Sequence, residues 1–268
     1  SIKPGIDFEI INPEDDPRYR DYVDALLDLA GRKGVTQDVA RTTVRTNATV
    51  IAAIALHRGE ADAMICGVEG RFDRHLRWIR DIVGLGEGAH DFSALSLLIL
   101  PKGVHFFADT YVSYDPTAED TADMVRLAAT HIRRMGIEPR FALLSHSNFG
   151  SADTVSARKM RHALEILQQD GTDFEVEGEM HGDVALDQAL RERIFPRSQL
   201  QGGANVFIMP NLDAANIAYQ LIKGLADALP VGPILIGTAK PAHILTPSVT
   251  ARGVVNMTAI AVVEAQQD

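Results

Sequence analysis

A serine-rich loop is the part of this chain best suited to bind an anion. It reads L-S-H-S-N-F-G-S over residues 144–151, after an apolar run and before a stretch with helical spacing. Hydroxyl groups, an amide, a glycine backbone and a helix N-terminus can together hold a phosphate or a carboxylate. The predicted ligand-binding residues are Ser145, Ser147, Asn148, Gly150 and Ser151. The alternative is an ordinary capped connection, with Asp153 near the start of the helix.

Four arginines form a second candidate binding surface. Arg71, Arg74, Arg77 and Arg80 are spaced by three residues, so on a helix they form one drifting basic stripe. Such a stripe can hold phosphate groups through charge-assisted hydrogen bonds. The alternative is a salt-bridged surface helix, because Asp73 and Asp81 lie four residues before and after Arg77.

Residues 177–183, E-G-E-M-H-G-D, contain the residue types of a metal site. On a strand, alternation would place Glu177, Glu179, His181 and Asp183 on one face. Residue types are not sufficient, because a metal site needs converging ligands that are themselves held by neighbours. We therefore predict no metal in this chain. The glycines of residues 84–88 lack the G-x-G-x-x-G spacing and follow a helix, so they do not predict a nucleotide-binding loop.

Residues 204–247 show how such side chains would be positioned. They read as a strand (Val206–Met209), a polar turn (Pro210–Asp213), a helix (Ile217, Leu221 and Leu225 on one face) and a second strand (Val231–Ile236). Lys240 then follows the second strand. In open α/β sheets ligands bind beyond the carboxyl ends of the strands, so Lys240 is a further candidate ligand-binding residue.

The same alternation continues along the chain. Spacing predicts helices over 18–33, 37–57, 73–83, 116–136, 152–168, 184–193 and 254–266, and strands over 61–66, 92–100, 104–108 and 141–144. Residues 101–103 predict a hairpin-like connection between two of these strands. The pattern predicts an α/β fold with mostly parallel sheets flanked by helices. The last helix is apolar nearly all round, which favours burial between elements or subunits.

Composition argues against two classes of partner. The 268 residues carry a net charge of −10, which gives no general attraction to nucleic acid or to an acidic membrane. No apolar run approaches the roughly 20 residues that span a bilayer, and we expect no signal peptide before Ile2. A single cysteine, Cys66, forbids an internal disulfide and suits a reducing cytoplasm. We therefore expect a cytoplasmic location.

The order of motifs after residue 203 resembles the phosphotransacetylase family, which moves an acetyl group between phosphate and coenzyme A. The matching residues are Ala204, Asn205, Val206, Ile208, Pro210, Leu212, Asn216, Ile217, Tyr219, Gly232, Pro233, Ile234, Gly237, Lys240 and Pro241. The resemblance adds Asn205 and Asn216 to the predicted ligand-binding residues. It also places Arg77 at a substrate-facing position.

The resemblance breaks at the residues that would perform catalysis. An active phosphotransacetylase typically has Ser, Arg and Asp where this chain has Thr246, Pro247 and Gly253. Proline offers neither a charge nor an N–H donor. A positioned general base alone contributes about 10²–10⁴-fold in rate. We therefore predict no catalytic residues here and a ligand-binding role for Thr246.

A more specific resemblance explains the substitutions. The segments H-I-L-T-P-S-V-T-A-R-G, L-L-S-H-S-N-F-G-S and G-E-M-H-G-D-V-A-L are similar to the phosphotransacetylase-like C-terminal domain of bacterial NADP-dependent malic enzymes. That resemblance implies a regulatory domain that binds acetyl-CoA as an effector and has no cofactor of its own. NADP and a divalent metal would belong to the separate catalytic domains. The domain would contact those domains and form a homo-oligomer, at least a dimer.

The resemblance also implies an architecture. Two α/β lobes like those of isocitrate and isopropylmalate dehydrogenases would enclose a cleft. Residues 1–103 and 228–268 would form one lobe, and residues 104–227 the other. The first lobe would be incomplete, with an initial βαβ segment preceding Ile2. Two other functions stay open: an active phosphate acetyltransferase that uses Thr246, and a structural oligomerisation module without a ligand.

Overall fold

The computed structural model describes residues 3–267. The helices are α1 (Tyr19–Ala30), α2 (Gln37–Thr46), α3 (Ala48–His57), α4 (Phe72–Ile82), α5 (Ala118–Arg134), α6 (Val155–Asp170), α7 (Gly182–Leu186), α8 (Gln188–Ile194), α9 (Leu212–Leu225) and α10 (Ala251–Ala265). The strands are β1 (Met64–Cys66), β2 (Ser93–Leu100), β3 (Gly103–Ala108), β4 (Arg140–Leu144), β5 (Glu175–Met180), β6 (Val206–Ile208), β7 (Leu229–Ile236) and β8 (Ala242–Ile244). These elements confirm a mixed α/β fold with helices flanking the sheets.

A six-stranded sheet forms the centre of the molecule. Its strand order is β5-β4-β6-β3-β2-β7. The pairs from β5 to β3 are parallel, whereas β2 runs antiparallel to both β3 and β7. The predicted hairpin is confirmed, because Ser96 pairs with Phe107 and Leu100 pairs with Gly103 across the turn at residues 101–102.

Helices cover both faces of this sheet. Phe106 belongs to the apolar cluster under α5 and α6, whereas its neighbour Phe107 belongs to the cluster under α7 and α9. Successive strand residues point to opposite faces, so a strand covered on both sides is apolar throughout. Each fully buried side chain of this size contributes about 1.5–3 kcal/mol to folding.

A second, smaller sheet pairs β1 with β8 in parallel. Helices α1 to α4 pack around it and share one buried cluster, which includes Leu26, Ile54, Ile79 and Ile244. The position of β8 brings the segment after residue 244 next to the segment after β1, since Leu245 N donates to Cys66 O at 2.7 Å.

Several predicted boundaries were wrong. The helix predicted over 37–57 is two helices, because the Asn47 side chain accepts from Val50 N and starts a new helix. The helix predicted over 184–193 is likewise divided at Asp187, whose side chain accepts from Leu190 N. No pattern in the sequence predicted the three-residue strand β8.

The predicted lobes meet within the large sheet. The boundary at residues 103 and 104 falls in the β2–β3 hairpin, and β7 follows the boundary at 227. Strands β2 and β7 therefore share one sheet with the strands of residues 104–227, and the two-lobed division stays a prediction. None of the helices within residues 3–267 is long and apolar enough to cross a membrane.

Candidate functional site

The serine-rich loop after β4 closes around a buried carboxylate. Glu179 is fully buried, and its Oε1 accepts from Ser147 Oγ at 2.6 Å, Gly150 N at 3.0 Å and Arg161 Nη1 at 3.0 Å. Ser147 is itself fully buried. Donors that could have held a ligand's anion thus hold an anion of the chain itself.

Parallel pairing of β4 with β5 brings this carboxylate to the loop. Ser145 N donates to Met180 O at 2.9 Å, and Phe149 N donates to Glu179 O at 2.8 Å. Phe149 has a φ of 47°, which is unusual for a bulky residue, and Gly150 follows with a φ of 85°. The loop is therefore a defined turn that points its backbone N–H groups inward.

Two side chains of the loop still offer donors to a ligand. Ser145 Oγ accepts from Ser147 N, and Asn148 Oδ1 accepts from His181 N at 2.8 Å. Within residues 3–267 no acceptor is recorded for the Ser145 hydroxyl hydrogen or for the Asn148 side-chain N–H groups. Ser151 Oγ accepts from Asn148 N at 2.9 Å and mainly fixes the turn.

The loop after β8 and the first turn of α10 contain the three positions where the sequence departs from an active transferase. Thr246 Oγ1 lies 3.1 Å from Ser248 Oγ, a hydroxyl that is no general base. Pro247 is exposed. Gly253 lies in the first turn of α10, and a Cβ there would approach Val249 Cγ2 to 2.8 Å.

The only cysteine of the chain lies beside this loop, at the end of β1. Burial raises the pKa of the Cys66 thiol to about 11. At neutral pH the thiol therefore stays protonated, and a protonated thiol is not a nucleophile.

Asn216 lies at the carboxyl end of β3, where its Nδ2 donates to Thr110 O at 3.1 Å. The turn at this point is organised by Asp109, which is almost fully buried. Its carboxylate accepts from Tyr111 N, Val112 N, Ser113 N and Ser93 Oγ at 2.8–3.0 Å. Sequence reasoning missed Asp109, although an Asp directly after a buried strand is a signal for a capped turn.

The cavity next to this turn is acidic. It measures about 280 Å³ and is lined by Asp91, Asp115, Asp120 and Asp123 together with His90. His90 Nδ1 lies 2.5 Å from Asp123 Oδ2. An acidic lining repels a polyanion, so this cavity does not suit a phosphate-rich ligand.

Three other predicted ligand-binding residues lie apart from these loops. Arg77 is 71% exposed on α4 and lies 3.8 Å from Asp81 Oδ2, as in the salt-bridge alternative. Lys240 Nζ donates to Leu56 O at 2.8 Å, at the C-terminal end of α3. Asn205 precedes β6 and accepts from Arg140 N while it donates to Glu138 O. Its amide therefore joins the amino ends of two strands, opposite to the loops.

Residues 177–183 do not align as alternation would place them. Strand β5 ends at Met180, and His181 is the N-cap residue that precedes α7. Glu177 accepts from Gln199 N at 3.0 Å, and His181 Nε2 lies 2.8 Å from His146 O. Among the described residues no three His, Cys, Asp or Glu side chains are grouped to hold a metal ion.

Comparison with known proteins gives the family. A family model described as phosphate acetyl/butaryl transferase matches residues 2–262. The NAD-dependent malic enzyme of Rhizobium meliloti is 60% identical over 98% of this chain, and the NADP-dependent malic enzyme of Escherichia coli is 48% identical over 99%. The chain spans only 34% and 35% of those two proteins.

A solved structure agrees in fold. The phosphotransacetylase from Streptococcus pyogenes superimposes with a TM-score of 0.90 at 26% identity, covering 98% of this chain and 80% of that one. Sequence and fold therefore point to the same family over nearly the whole chain. The chain belongs to the phosphate acetyl/butaryl transferase family.

Proposed function

We propose that this chain is the phosphotransacetylase-like domain of a malic enzyme and that it regulates the enzyme instead of transferring acetyl groups. The whole protein would oxidatively decarboxylate malate to pyruvate in separate catalytic domains, which would bind NADP and a divalent metal. Identity of 48–60% to malic enzymes, against 26% to the phosphotransacetylase structure, supports this assignment. The two malic enzymes are named for different cofactors, NAD and NADP. The choice of NADP is therefore part of the proposal and is not supplied by these names.

The residues at positions 246, 247 and 253 support the proposal that the domain is not catalytic. Thr246 contacts another hydroxyl, Pro247 provides no charge, and Gly253 provides no carboxylate. Acetyl transfer from acetyl phosphate needs a contact to the phosphoryl charge and a base for the thiol. Neither group comes from these three positions.

Acetyl-CoA is the proposed effector. Its phosphates carry several negative charges, and a chain with a net charge of −10 must hold them through local donors. Ser145 and Asn148 keep donors at the loop after β4, Thr246 keeps a hydroxyl, and Arg77 is exposed. The Lys240 ammonium has further hydrogens besides the one on Leu56 O.

Calorimetric titration with acetyl-CoA, paired with an assay for acetyl-CoA formation from acetyl phosphate, separates the three functions. The regulatory role predicts binding without turnover, an active transferase predicts turnover of about 1–10³ s⁻¹, and a structural module predicts neither. We expect Arg77→Ala or Lys240→Ala to weaken binding about tenfold, since a charge-assisted hydrogen bond contributes roughly 1.5–3 kcal/mol. Arg41→Ala, an exposed arginine on α2, is the control. Unchanged affinity in both variants would place the effector elsewhere.

Restoring the family residues is expected not to restore transfer. In the variant Thr246→Ser, Pro247→Arg, Gly253→Asp, the new Cβ at position 253 would lie 2.8 Å from Val249 Cγ2. Either the Val249 side chain or the first turn of α10 must shift to accept it, which works against a productive position for the new carboxylate. The measurement is coenzyme A acetylation by the triple variant, and a rate well above that of the parent chain would contradict the expectation.

A further inference from the structure

A largely buried chain of three titratable groups joins the last helix to the rest of the molecule. Glu264 on α10 is 4% exposed, and its two oxygens meet different histidines. His131 Nδ1 on α5 lies 2.8 Å from Oε1, and His243 Nε2 on β8 lies 2.9 Å from Oε2. None of these residues belongs to the loops after β4 and β8 described above.

Hydrogen bonding fixes the protons of this cluster. Leu235 N donates to His243 Nδ1 at 3.3 Å, so the proton of that ring is on Nε2, toward Glu264. A second proton on His243 would break the bond to Leu235. His131 is different, because its Nδ1–H donates to Glu264 and leaves Nε2 as the position that can gain a proton.

His131 Nε2 opens onto a cavity. It has no hydrogen-bond partner within residues 3–267 and is reached by solvent. The cavity measures about 390 Å³ and lies beyond the carboxyl end of β7, at residues 237–239. Ligands of α/β sheets bind beyond such strand ends. Thr130, Thr238, Arg134 and Glu87 also line it.

We propose that this cavity binds a small oxyanion, phosphate or carboxylate, together with a proton on His131. Protonated His131 would face buried Glu264 on one side and present an Nε2–H donor to the cavity on the other. The Thr238 hydroxyl supplies a further donor from the wall, and the Arg134 side chain adds positive charge there. The opposing charges are Glu87, which is exposed at the rim, and Glu264, which also lines the cavity and contacts His243 on its other side.

Because a proton is taken up with the anion, the affinity of the site for the anion depends on pH. An anion that binds only with His131 protonated, and whose own charge stays constant, loses affinity as pH rises, by up to about tenfold per pH unit once the ring is neutral. Inorganic phosphate and malonate, titrated at about pH 6 and about pH 8, test both anion classes. The readout is the imidazole NMR signals of His131 together with the binding constant from calorimetry.

The proposal expects at least one anion to shift the His131 signals and to bind more tightly at the lower pH. Phosphate alone would identify a phosphoryl site, and malonate alone a carboxylate site. His131→Asn keeps a side-chain N–H for Glu264 but removes Nε2, and it should abolish binding. His162→Asn, at an exposed histidine on α6, is the matched control, and thermal unfolding checks that both variants fold. The proposal is overturned if His131→Asn binds the anion as tightly as the parent chain or if the affinity does not depend on pH. It is also overturned if neither anion binds or shifts the His131 signals.

Discussion

Glu179 gives the serine-rich loop an internal anion. Ser147, Gly150 and Arg161 all donate to one of its oxygens, and the second oxygen is buried without a protein partner in the described chain. The loop can therefore keep its shape when no ligand is bound. A ligand would contact the outer surface of the loop, where Ser145 and Asn148 lie.

Replacing Glu179 should loosen this loop. Glu179→Gln keeps the size but removes the charge, so we expect a loss of about 2 kcal/mol in the free energy of unfolding, the usual contribution of a hydrogen bond to a charged group. Urea denaturation measures it. Glu165→Gln, at a 60% exposed glutamate on α6, should change stability little. An unchanged midpoint for Glu179→Gln would show that the buried charge contributes nothing to folding.

The Glu264 carboxylate should make the free energy of unfolding fall as the pH is lowered. Burial alone would raise its pKa, but the hydrogen bonds and charges of His131 and His243 lower it to about 2, from an ordinary 4.5. A carboxyl group with a lowered pKa stabilises the fold above its unfolded pKa and loses that contribution as pH falls. We expect about 3 kcal/mol to be lost between about pH 4.5 and pH 2.

Denaturation of the parent chain and of Glu264→Gln at several acidic pH values checks this expectation. The variant should be less stable at neutral pH and should lose less stability over the same interval. If the parent chain and Glu264→Gln lost stability equally as pH falls, Glu264 would not be the cause of the acid dependence.

At the scale of single residues, the sequence predicts which side chains can bind a ligand better than it predicts which other residues they contact. The loop after β4 could be predicted because hydroxyls, an amide and glycine lie between a strand and a helix. Glu179 could not, because it reaches the loop through the pairing of β4 with β5. Lys240 follows β7 as predicted, yet its ammonium contacts Leu56 O, and nothing local to either residue signals that contact.

Among the elements, the segment that connects α7 and α8 to β6 depends on one buried arginine. Arg191 is fully buried, and its guanidinium donates to the carbonyl oxygens of Val184, Ala185, Leu200 and Gly202. Burial lowers the pKa of this guanidinium from its ordinary value. Hydrogen bonds from one guanidinium to backbone carbonyl groups therefore stabilise this segment, in place of regular secondary structure.

We expect Arg191→Lys to unfold this segment first. A lysine cannot reach four carbonyl groups at once, so the free energy of unfolding should fall by roughly 2–3 kcal/mol. Limited proteolysis should then cut within residues 195–203. Arg193→Lys on the exposed side of α8 is the control, and equal resistance of both variants would contradict the role given to Arg191.

Helix existence was more predictable than helix continuity. Periodicity located the helices, but Asn47 and Asp187 divide two of them by capping new N-termini. Such residues are tolerated inside helices, so the choice is made by packing: α2 and α3 both bury an apolar face in the cluster around β1 and β8. A three-residue strand such as β8 is too short for periodicity to reveal.

At the scale of the whole molecule, apolar side chains on the surface predict self-association. On α9, Ile217, Leu221 and Leu225 are exposed and spaced by four residues, and they form one stripe. The last helix, for which burial between elements or subunits is predicted, leaves Val255 and Val262 exposed on this single chain. Exposed apolar stripes commonly mark contacts with another chain, and identical chains most often pair about a two-fold axis.

We therefore expect a homodimer, at least, at micromolar concentration. Leu221→Glu should place like charges together at a two-fold contact and shift the chain toward monomer, as measured by light scattering. Glu119→Gln on α5 is a neutral control. A parent chain that is monomeric, or a Leu221→Glu variant that stays as associated as the parent, would contradict this contact.

The antiparallel strand β2 has a consequence for synthesis of the chain. It pairs with β3 immediately, but its other edge waits for β7, which is translated last among the strands of the large sheet. At ordinary translation speeds an apolar edge with Leu95 and Leu97 stays open for roughly ten seconds. Ribosome-associated chaperones are thus expected to engage the chain at β2, and to leave once residues 229–236 have emerged from the exit tunnel.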